Sequence, residues 1–240
     1  MNYEVPHNVP VIEQPRDGLA TCPPGLKYLI SVDQILVKQN PEVFEALTGL
    51  ETSNKYDVLN TMGQPIFKAI EINNCCNLNC CGSYRCFNMK VIDNNGMEVM
   101  HIERPLRCNA SCFPFCCCGQ NMKVYSPPGY YIGQIVQTIG LCGARFVIKD
   151  ANDQSQIRVH GPCCVFDFCG NVDFKVLPME GNTQIGVVTK QWSGLAKEAF
   201  TDADNFGVCF PIDLEVRMKA LLLAQIILID YMFFENNKKD

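Results

Sequence analysis

The C-terminal stretch EVRMKALLLAQIILIDYMFFE, residues 215–235, constrains the fold more than any other part of the chain. It is rich in Leu, Met and Ala and contains neither Gly nor Pro, which predicts a helix of about 20 residues, roughly 30 Å long. From Ala220 to Ile229 this helix is apolar nearly all round. Such a surface has to be buried, either in protein or in lipid.

A membrane span is the first of these two uses. It needs about 20 mostly apolar residues, whereas Arg217 and Lys219 stand just before the apolar window 220–234 and Asp230 interrupts it. A central Asp costs about 2.5–3.5 kcal/mol on insertion scales. The stretch is therefore marginal as a span and suits a helix buried inside a protein. The residues expected to form its membrane or core surface are Val216, Ala220, Leu221, Leu222, Leu223, Ile226, Ile227, Leu228, Ile229, Phe233 and Phe234.

The chain before this helix is built from strand pairs. Short runs of Val, Ile and Phe alternate with polar residues, turn, and alternate again, which is typical of half-buried hairpins. Met62-Gly63 and Asn94-Asn95-Gly96 supply residues that tolerate positive φ in tight turns. The predicted pairs are 55–72, 89–103, 122–139, 145–161 and 173–190, with a sixth in 26–39.

About ten to twelve antiparallel strands follow from this count, together with a short helix at 41–49 that opens with proline and closes with glycine. Regular short strands suggest a sandwich or a closed barrel. A many-stranded sheet combined with one apolar helix predicts a mainly β fold, an antiparallel barrel that encloses the helix.

Composition limits the function. The chain is 48% hydrophobic and 19% charged, so it can bury a core. Its net charge of −5 argues against nucleic acid as the main partner, and it has no polybasic run for anionic lipid. The N-terminus does not resemble a signal peptide. We therefore expect a reducing compartment, in which the sixteen cysteines are not disulfides. No CxxC pair is present and the three histidines are scattered, which disfavours zinc.

Several long motifs then point to a family. TDADNFGVCFPIDLEVRMKALLLAQIILIDYMFFE (201–235) closely resembles the C-terminal signature of the phospholipid scramblase family. ERPLRC (103–108), GPCCVFDFCGNVDF (161–174) and QWSGLAKEAFTDADNFG (191–207) are similar to further motifs of that family. The resemblance runs from about residue 23 to residue 235. It implies a Tubby-like fold, a twelve-stranded barrel around a hydrophobic C-terminal helix.

The resemblance also implies a function. It is calcium-stimulated, ATP-independent, bidirectional movement of phospholipids between membrane leaflets. Because this movement involves no covalent chemistry, the protein is not expected to be an enzyme. The alternative is a palmitoyl-anchored adaptor that regulates signalling proteins without moving lipid. A third interpretation is a single-span protein inserted through its last helix. Burying that helix in the barrel and passing it through the bilayer are exclusive uses of one surface, and a lone span would have to form a homo-oligomer to offer lipid a path.

The resemblance places the calcium segment at 202–213, with Asp202, Asp204, Phe206, Val208, Phe210 and Asp213 at positions 1, 3, 5, 7, 9 and 12 of a calcium loop. Phenylalanine side chains cannot be ligands, and Val208 can offer only its carbonyl. So few ligands predict weak calcium binding, with a dissociation constant on the order of 10⁻⁴–10⁻³ M. The alternative is a turn and a strand, with Val208, Phe210 and Ile212 facing one way. Both hold if calcium binds at the turn, on Asp202, Asp204 and neighbouring carbonyls.

The cysteine-rich run CNASCFPFCCC (108–118) aligns with a segment that carries palmitate in this family. The resemblance implies acylation of Cys112, Cys116, Cys117 and Cys118, although phenylalanines interrupt the family's compact pattern. One chain anchors a protein only marginally, so several adjacent thiols would make attachment stable. The competing interpretation is that free cysteines are small core residues, which suits Cys209 and other cysteines in strand-like contexts. A second cluster, CCNLNCCGSYRC (75–86), is the runner-up.

The chain is predicted to divide into three segments. Residues 1–24 form a short proline-containing stub that we expect to be flexible, 25–235 a single barrel domain that includes the helix, and 236–240 a polar tail. The expected location is the cytoplasmic face of the plasma membrane.

Overall fold

A closed ring of antiparallel strands surrounds the C-terminal helix in the computed structural model of the chain. The structure describes residues 22–40, 54–72, 86–106, 119–138, 143–162, 171–191 and 205–234. The predicted helix at 41–49, most of the N-terminal stub and the C-terminal tail lie outside these residues.

Within the described residues the chain forms a short 3₁₀ helix (Leu26–Ser31), twelve strands and the long helix α1 (Val216–Phe233). The strands are β1 (Gln34–Gln39), β2 (Lys55–Leu59), β3 (Pro65–Ile72), β4 (Phe87–Asp93), β5 (Glu98–Arg104), β6 (Asn121–Ser126), β7 (Tyr130–Thr138), β8 (Arg145–Asp150), β9 (Ser155–His160), β10 (Val172–Pro178), β11 (Gly186–Gln191) and β12 (Asn205–Cys209). The prediction of a twelve-stranded barrel around a hydrophobic helix is confirmed.

Each strand pairs with its neighbours in sequence, and β12 pairs with β1 to close the ring. Side chains alternate between core and surface, as in β4, where Phe87, Met89 and Val91 are buried and Asn88 and Lys90 are exposed. The period of two that the sequence shows is therefore the period of the barrel wall.

Connections alternate between the two ends of the barrel because neighbouring strands run in opposite directions. At one end, which we call the hairpin end, the turns are short, and Gly63 and Gly96 adopt the positive φ angles of 75° and 78° that these turns require. At the other end, the long-connection end, the linking segments are 40–54, 73–86, 105–120, 139–144, 161–171 and 192–204.

The predicted strand pair at 26–39 is wrong in its first half. Residues Leu26–Ser31 form a 3₁₀ helix, entered through Gly25 at a φ of 85°, and only Gln34–Gln39 is a strand. Leu26 and Leu29 are buried in the core. The carbonyls of Leu29 and Val32 accept hydrogen bonds from Lys219 of α1 and so do not belong to a strand ladder. Packing against the helix end decides the local structure here.

Replacing Ile226 with alanine tests the packing of α1. Ile226 is fully buried in the barrel core, so we expect Ile226→Ala to lower the free energy of unfolding by about 2–5 kcal/mol. The measurement is urea unfolding followed by tryptophan fluorescence and circular dichroism. Ile212→Ala is the matched control, because Ile212 is 61% exposed and its loss should change stability by less than about 0.5 kcal/mol. Equal effects of the two variants would contradict a helix enclosed by the barrel.

Candidate functional site

The apolar surface of α1 is buried inside the barrel. All the residues predicted for its membrane or core surface are buried, except for Phe233, which is partly exposed. No helix within the described ranges combines the length and the apolar character that crossing a membrane demands. Of the two uses that the sequence left open for this surface, the structure shows burial in protein.

At the hairpin end, Lys219 fixes the beginning of α1. Its side chain is fully buried, and Nζ donates hydrogen bonds to the carbonyl oxygens of Leu29 (2.9 Å), Val32 (2.8 Å) and Ile212 (2.8 Å), with a longer one to Ile30 (3.3 Å). Burial lowers the pKa of Lys219 to about 8, and nearby Asp33 and Asp213 oppose that shift. The side chain ties α1 to the segments before β1 and after β12.

At the long-connection end, a set of buried polar residues surrounds the last turns of α1. The Tyr56 hydroxyl donates to Asp230 Oδ2 at 2.6 Å, and the Tyr231 hydroxyl donates to Glu71 Oε2 at 2.6 Å. Arg104 donates to Gln120 Oε1 at 3.0 Å. We call this set the polar collar; its members are Tyr56, Glu71, Arg104, Gln120, Asp230 and Tyr231. Buried charges are tolerated when such bonds satisfy them.

Aromatic rings complete this end of the core. Phe87 stacks on Tyr231 with ring centroids 4.3 Å apart, and the Arg104 guanidinium lies 5.8 Å from the Phe87 centroid. Phe206 of β12 packs against Phe234, and Lys190 Nζ lies 3.8 Å from the Phe234 ring centroid. These contacts hold the C-terminal end of α1 against several strands at once.

The predicted calcium segment is divided by β12. Asp202 and Asp204 lie outside the described residues, in the connection that precedes this strand. Asn205–Cys209 is a strand paired with β1 on one side and β11 on the other, and Phe206 and Val208 are buried within it. Asp213 is exposed beyond the other end of the strand, near Lys219. The strand therefore separates Asp213 from the position at which the chain leaves Asp204.

The residues after β12 correct one detail of the strand interpretation. Phe210 is buried and its amide donates to the Asp33 carbonyl at 2.9 Å, whereas Ile212 is 61% exposed. Phe210 and Ile212 do not share a face, because the strand ends at Cys209 and a turn follows. In the part of the chain that the structure describes, no three His, Cys, Asp or Glu residues are grouped to hold a metal ion.

The predicted acylation sites Cys112, Cys116, Cys117 and Cys118 lie outside the described residues, in the β5–β6 connection. The thiols that the structure describes are Cys22, Cys86 and Cys209, and none of them forms a disulfide. Cys209 lies in β12, as its strand-like context predicted, but it is only half-buried and so is not a core residue. Burial, helped by the charge of Asp33, raises the pKa of its thiol, which makes it a poor nucleophile.

Sequence reasoning missed the polar collar. The signal existed: in β3 the alternation that buries Phe67 and Ala69 also points Glu71 inward, and Asp230 interrupts an otherwise apolar helix. A charged residue at an inward strand position indicates a partner inside the barrel. Which strand supplies that partner depends on the order of the strands around the closed barrel, and the sequence alone does not show this order.

Comparison with known proteins gives a consistent result. A family model described as Scramblase matches residues 13–236. Phospholipid scramblase 1 of Rattus norvegicus is 46% identical over 96% of this chain and 68% of its own length. The values for phospholipid scramblase 1 of Homo sapiens are 46%, 95% and 71%, and those for phospholipid scramblase 2 of Bos taurus are 45%, 96% and 78%. The chain thus spans about two thirds to four fifths of these relatives. No solved structure matches it significantly.

Replacing Lys219 with methionine tests its role at the hairpin end. The substitution leaves the carbonyls of Leu29, Val32 and Ile212 without their donor, so we expect it to lower the free energy of unfolding by about 1–3 kcal/mol at neutral pH. Urea unfolding measures this, and Lys27→Met, on the exposed side of the 3₁₀ helix, is the control.

Comparing the unfolding of the wild type and of Lys219→Met at different pH values tests the lowered pKa of Lys219. Because the pKa of Lys219 is lowered to about 8 in the folded protein, the native state loses this proton while the unfolded chain still holds it. The free energy of unfolding of the wild type should therefore rise relative to that of Lys219→Met between about pH 8 and pH 10.5. A constant difference across that range would contradict the lowered pKa.

Proposed function

This chain belongs to the scramblase family, and we propose that it moves phospholipids between the two leaflets of a membrane. The observation that carries the proposal is the extent of the match, from residue 13 to residue 236, which includes every described strand and α1. Its relatives at 45–48% identity are named phospholipid scramblases. Moving a lipid breaks no covalent bond, so the activity is translocation rather than catalysis of a reaction.

We further propose that the movement runs in both directions, needs no ATP and is stimulated by calcium. Asp202 and Asp204, with neighbouring carbonyls, are the proposed ligands. The position of β12 favours a site at Asp202 and Asp204 over a twelve-residue calcium loop that includes Asp213. The strand runs from the connection after Asp204 to the other end of the barrel before the chain reaches Asp213. Two carboxylates make a weak site, so the response should need calcium on the order of 10⁻⁴–10⁻³ M.

Reconstitution in liposomes tests this proposal. We expect the protein to expose fluorescently labelled lipid from the inner leaflet to a membrane-impermeant quencher when calcium is added and no nucleotide is present. Asp202→Asn/Asp204→Asn should lose the calcium response by about tenfold or more, since a hard cation needs its anionic ligands. Labelling the inner leaflet in one experiment and the outer leaflet in another measures whether lipid moves in both directions.

Asp213→Asn is the matched control for this experiment. It removes a carboxylate from the same sequence segment but at the hairpin end, so the calcium response should stay within about twofold of the wild type. If Asp213→Asn abolished the response as fully as the double variant, the calcium would be held by one compact loop and our placement would be wrong. If folded, liposome-bound wild type moved no lipid at any calcium concentration, the proposed activity would be wrong.

We also propose covalent palmitate on Cys112, Cys116, Cys117 and Cys118. Fourteen of the sixteen cysteines belong to connections that leave and rejoin the barrel at the long-connection end, and so do Asp202 and Asp204. Chains attached there would hold this end towards the cytoplasmic face of the plasma membrane, the proposed location. An assembly of several copies would then give lipid a path that one helix-filled barrel does not offer.

Metabolic labelling with an alkyne-bearing palmitate tests the attachment. Replacing the four cysteines with serine should remove most of the hydroxylamine-sensitive label and shift the protein from the membrane to the soluble fraction, because the anchoring free energy grows with the number of chains. Cys22→Ser and Cys86→Ser are the controls and should retain the label. Undiminished labelling of the fourfold variant would show that the acylation sites are other cysteines, with the cluster at 75–86 as the next candidate.

A second function has one observation in its favour. Because α1 fills the barrel, its apolar surface is occupied by core contacts and is not presented to lipid. That arrangement suits a membrane-tethered adaptor that binds signalling proteins through its outer wall. The liposome experiment separates the two proposals, since an adaptor would bind the vesicles without moving lipid.

A further inference from the structure

Three basic residues form one row across the outer wall of the barrel. The strand register places Arg145 of β8 opposite His160 of β9, and His160 opposite Lys175 of β10. The residues beside them in sequence, such as Phe146 and Val159, are buried, so the three basic side chains point outward. Adjacent strands lie about 4.8 Å apart, so the row spans about 10 Å of the surface.

Arg158 adds a fourth basic group beside this row. It lies two residues before His160 on the same face of β9, and its guanidinium is held by the carbonyl oxygens of Pro178 (3.0 Å) and Gly181. Burial, then the charges of Arg145 and Arg158, lower the pKa of His160. We call Arg145, Arg158, His160 and Lys175 the basic wall.

The opposite side of the barrel is arranged differently. Lys68 of β3 lies 3.9 Å from Asp57, and Lys90 of β4 lies 3.3 Å from Glu98, so cations there have carboxylate neighbours. In the described part of the chain, neither Arg145 nor Lys175 has a carboxylate within ion-pair distance. Asp173, two residues before Lys175 on the outer face of β10, is likewise not in an ion pair.

Arg145 and Lys175 lie two strands apart with His160 between them, so the row holds three adjacent like charges once His160 is protonated. Like charges directly opposite one another on neighbouring strands cost free energy, and an anion lying over them would offset that cost. Beside the row, Val136 and Val147 face each other on β7 and β8 and are only partly buried, which gives the wall an apolar margin. An outer wall that combines cations and aliphatic side chains suits a layer of phosphate headgroups better than one deep ligand pocket.

We propose that the basic wall docks the barrel sideways against an anionic phospholipid surface. The proposal rests on the proposed function, because it assigns to the same protein the face that meets the membrane. It also accounts for how a chain with a net charge of −5 approaches anionic lipid: the barrel gathers cations from three strands on one side. The long-range attraction then depends on that side and not on the net charge.

Sedimentation with vesicles tests the proposal, using the whole 240-residue chain without acyl chains. The vesicles are phosphatidylcholine, with or without phosphatidylglycerol. Arg145→Gln/Lys175→Gln should weaken binding to the anionic vesicles by about 10- to 30-fold, since each basic residue near such a surface contributes about fivefold. Lys68→Gln/Lys90→Gln is the matched control, with the same change in net charge on the opposite side, and should bind within about twofold of the wild type.

The pH dependence gives a second readout that a purely structural role would not produce. Within the described residues, the charged groups near His160 on β8, β9 and β10 are Arg145, Arg158, Lys175 and Asp173. Protonation of His160 adds a cation to the row. Binding should therefore strengthen as the pH falls from about 7.5 to about 5.5. His160→Gln should flatten this dependence, whereas His101→Gln, on β5 between Glu98 and Glu103, should leave it intact.

Each outcome supports or overturns the proposal. Loss of binding in Arg145→Gln/Lys175→Gln alone supports it. Wild-type failure to bind anionic vesicles, or equal losses in the two double variants, overturns it. Displacement of the protein by inorganic phosphate at constant ionic strength would also overturn it, since the wall would then be a site for free anions. The lipid-movement assay tests the proposed function separately. Failure of the wild type to move lipid refutes the proposed function and leaves the docking face standing, whereas failure of the wild type to bind anionic vesicles refutes the docking face and leaves lipid movement by the acylated protein standing.

Discussion

One requirement organises this fold, which is the burial of a helix that is apolar on every side. An amphipathic helix can lie on one sheet, but α1 has no face that tolerates water, since its buried residues surround the axis. Only a closed wall covers such a helix completely, and a closed ring of strands also leaves no unpaired sheet edge. An α-helix with its side chains is about 10–12 Å across, which sets the width that the twelve strands enclose.

Polar residues at both ends of α1 determine where the helix stops within this wall. Apolar packing alone would allow the helix to slide, because dispersion contacts are not directional. Lys219 binds backbone carbonyls at the hairpin end, and Asp230 and Tyr231 bind Tyr56 and Glu71 at the other. A shift of one turn would bury these charges without partners, which costs several kcal/mol. The charged residues that make α1 a poor membrane span are therefore the ones that fix it inside the barrel.

The ends and the wall of the barrel differ in chemistry. Short turns close the hairpin end, and the segments proposed to bind calcium and carry acyl chains all join the barrel at the long-connection end. The basic wall lies towards the same end, where β8 begins and β9 ends. A barrel docked along this wall would lie with its acylated end at the membrane, so lipid anchoring and charge attraction would act on one orientation.

Pattern in the sequence was enough to predict most of the secondary structure and the enclosure of the helix by the strands. Alternation with a period of two predicts five of the hairpins, and the all-round apolar helix predicts that they wrap around it. The 3₁₀ helix at Leu26–Ser31 escaped this reasoning because Lys219, almost two hundred residues away, binds its carbonyls. Three features became visible only in the folded barrel: Glu71 faces Tyr231, β12 lies between Asp213 and the connection that precedes the strand, and Arg145, His160 and Lys175 share one row. Local periodicity shows whether a side chain points inward or outward, but its partners depend on which strands are neighbours and in what register, and those are properties of the closed ring.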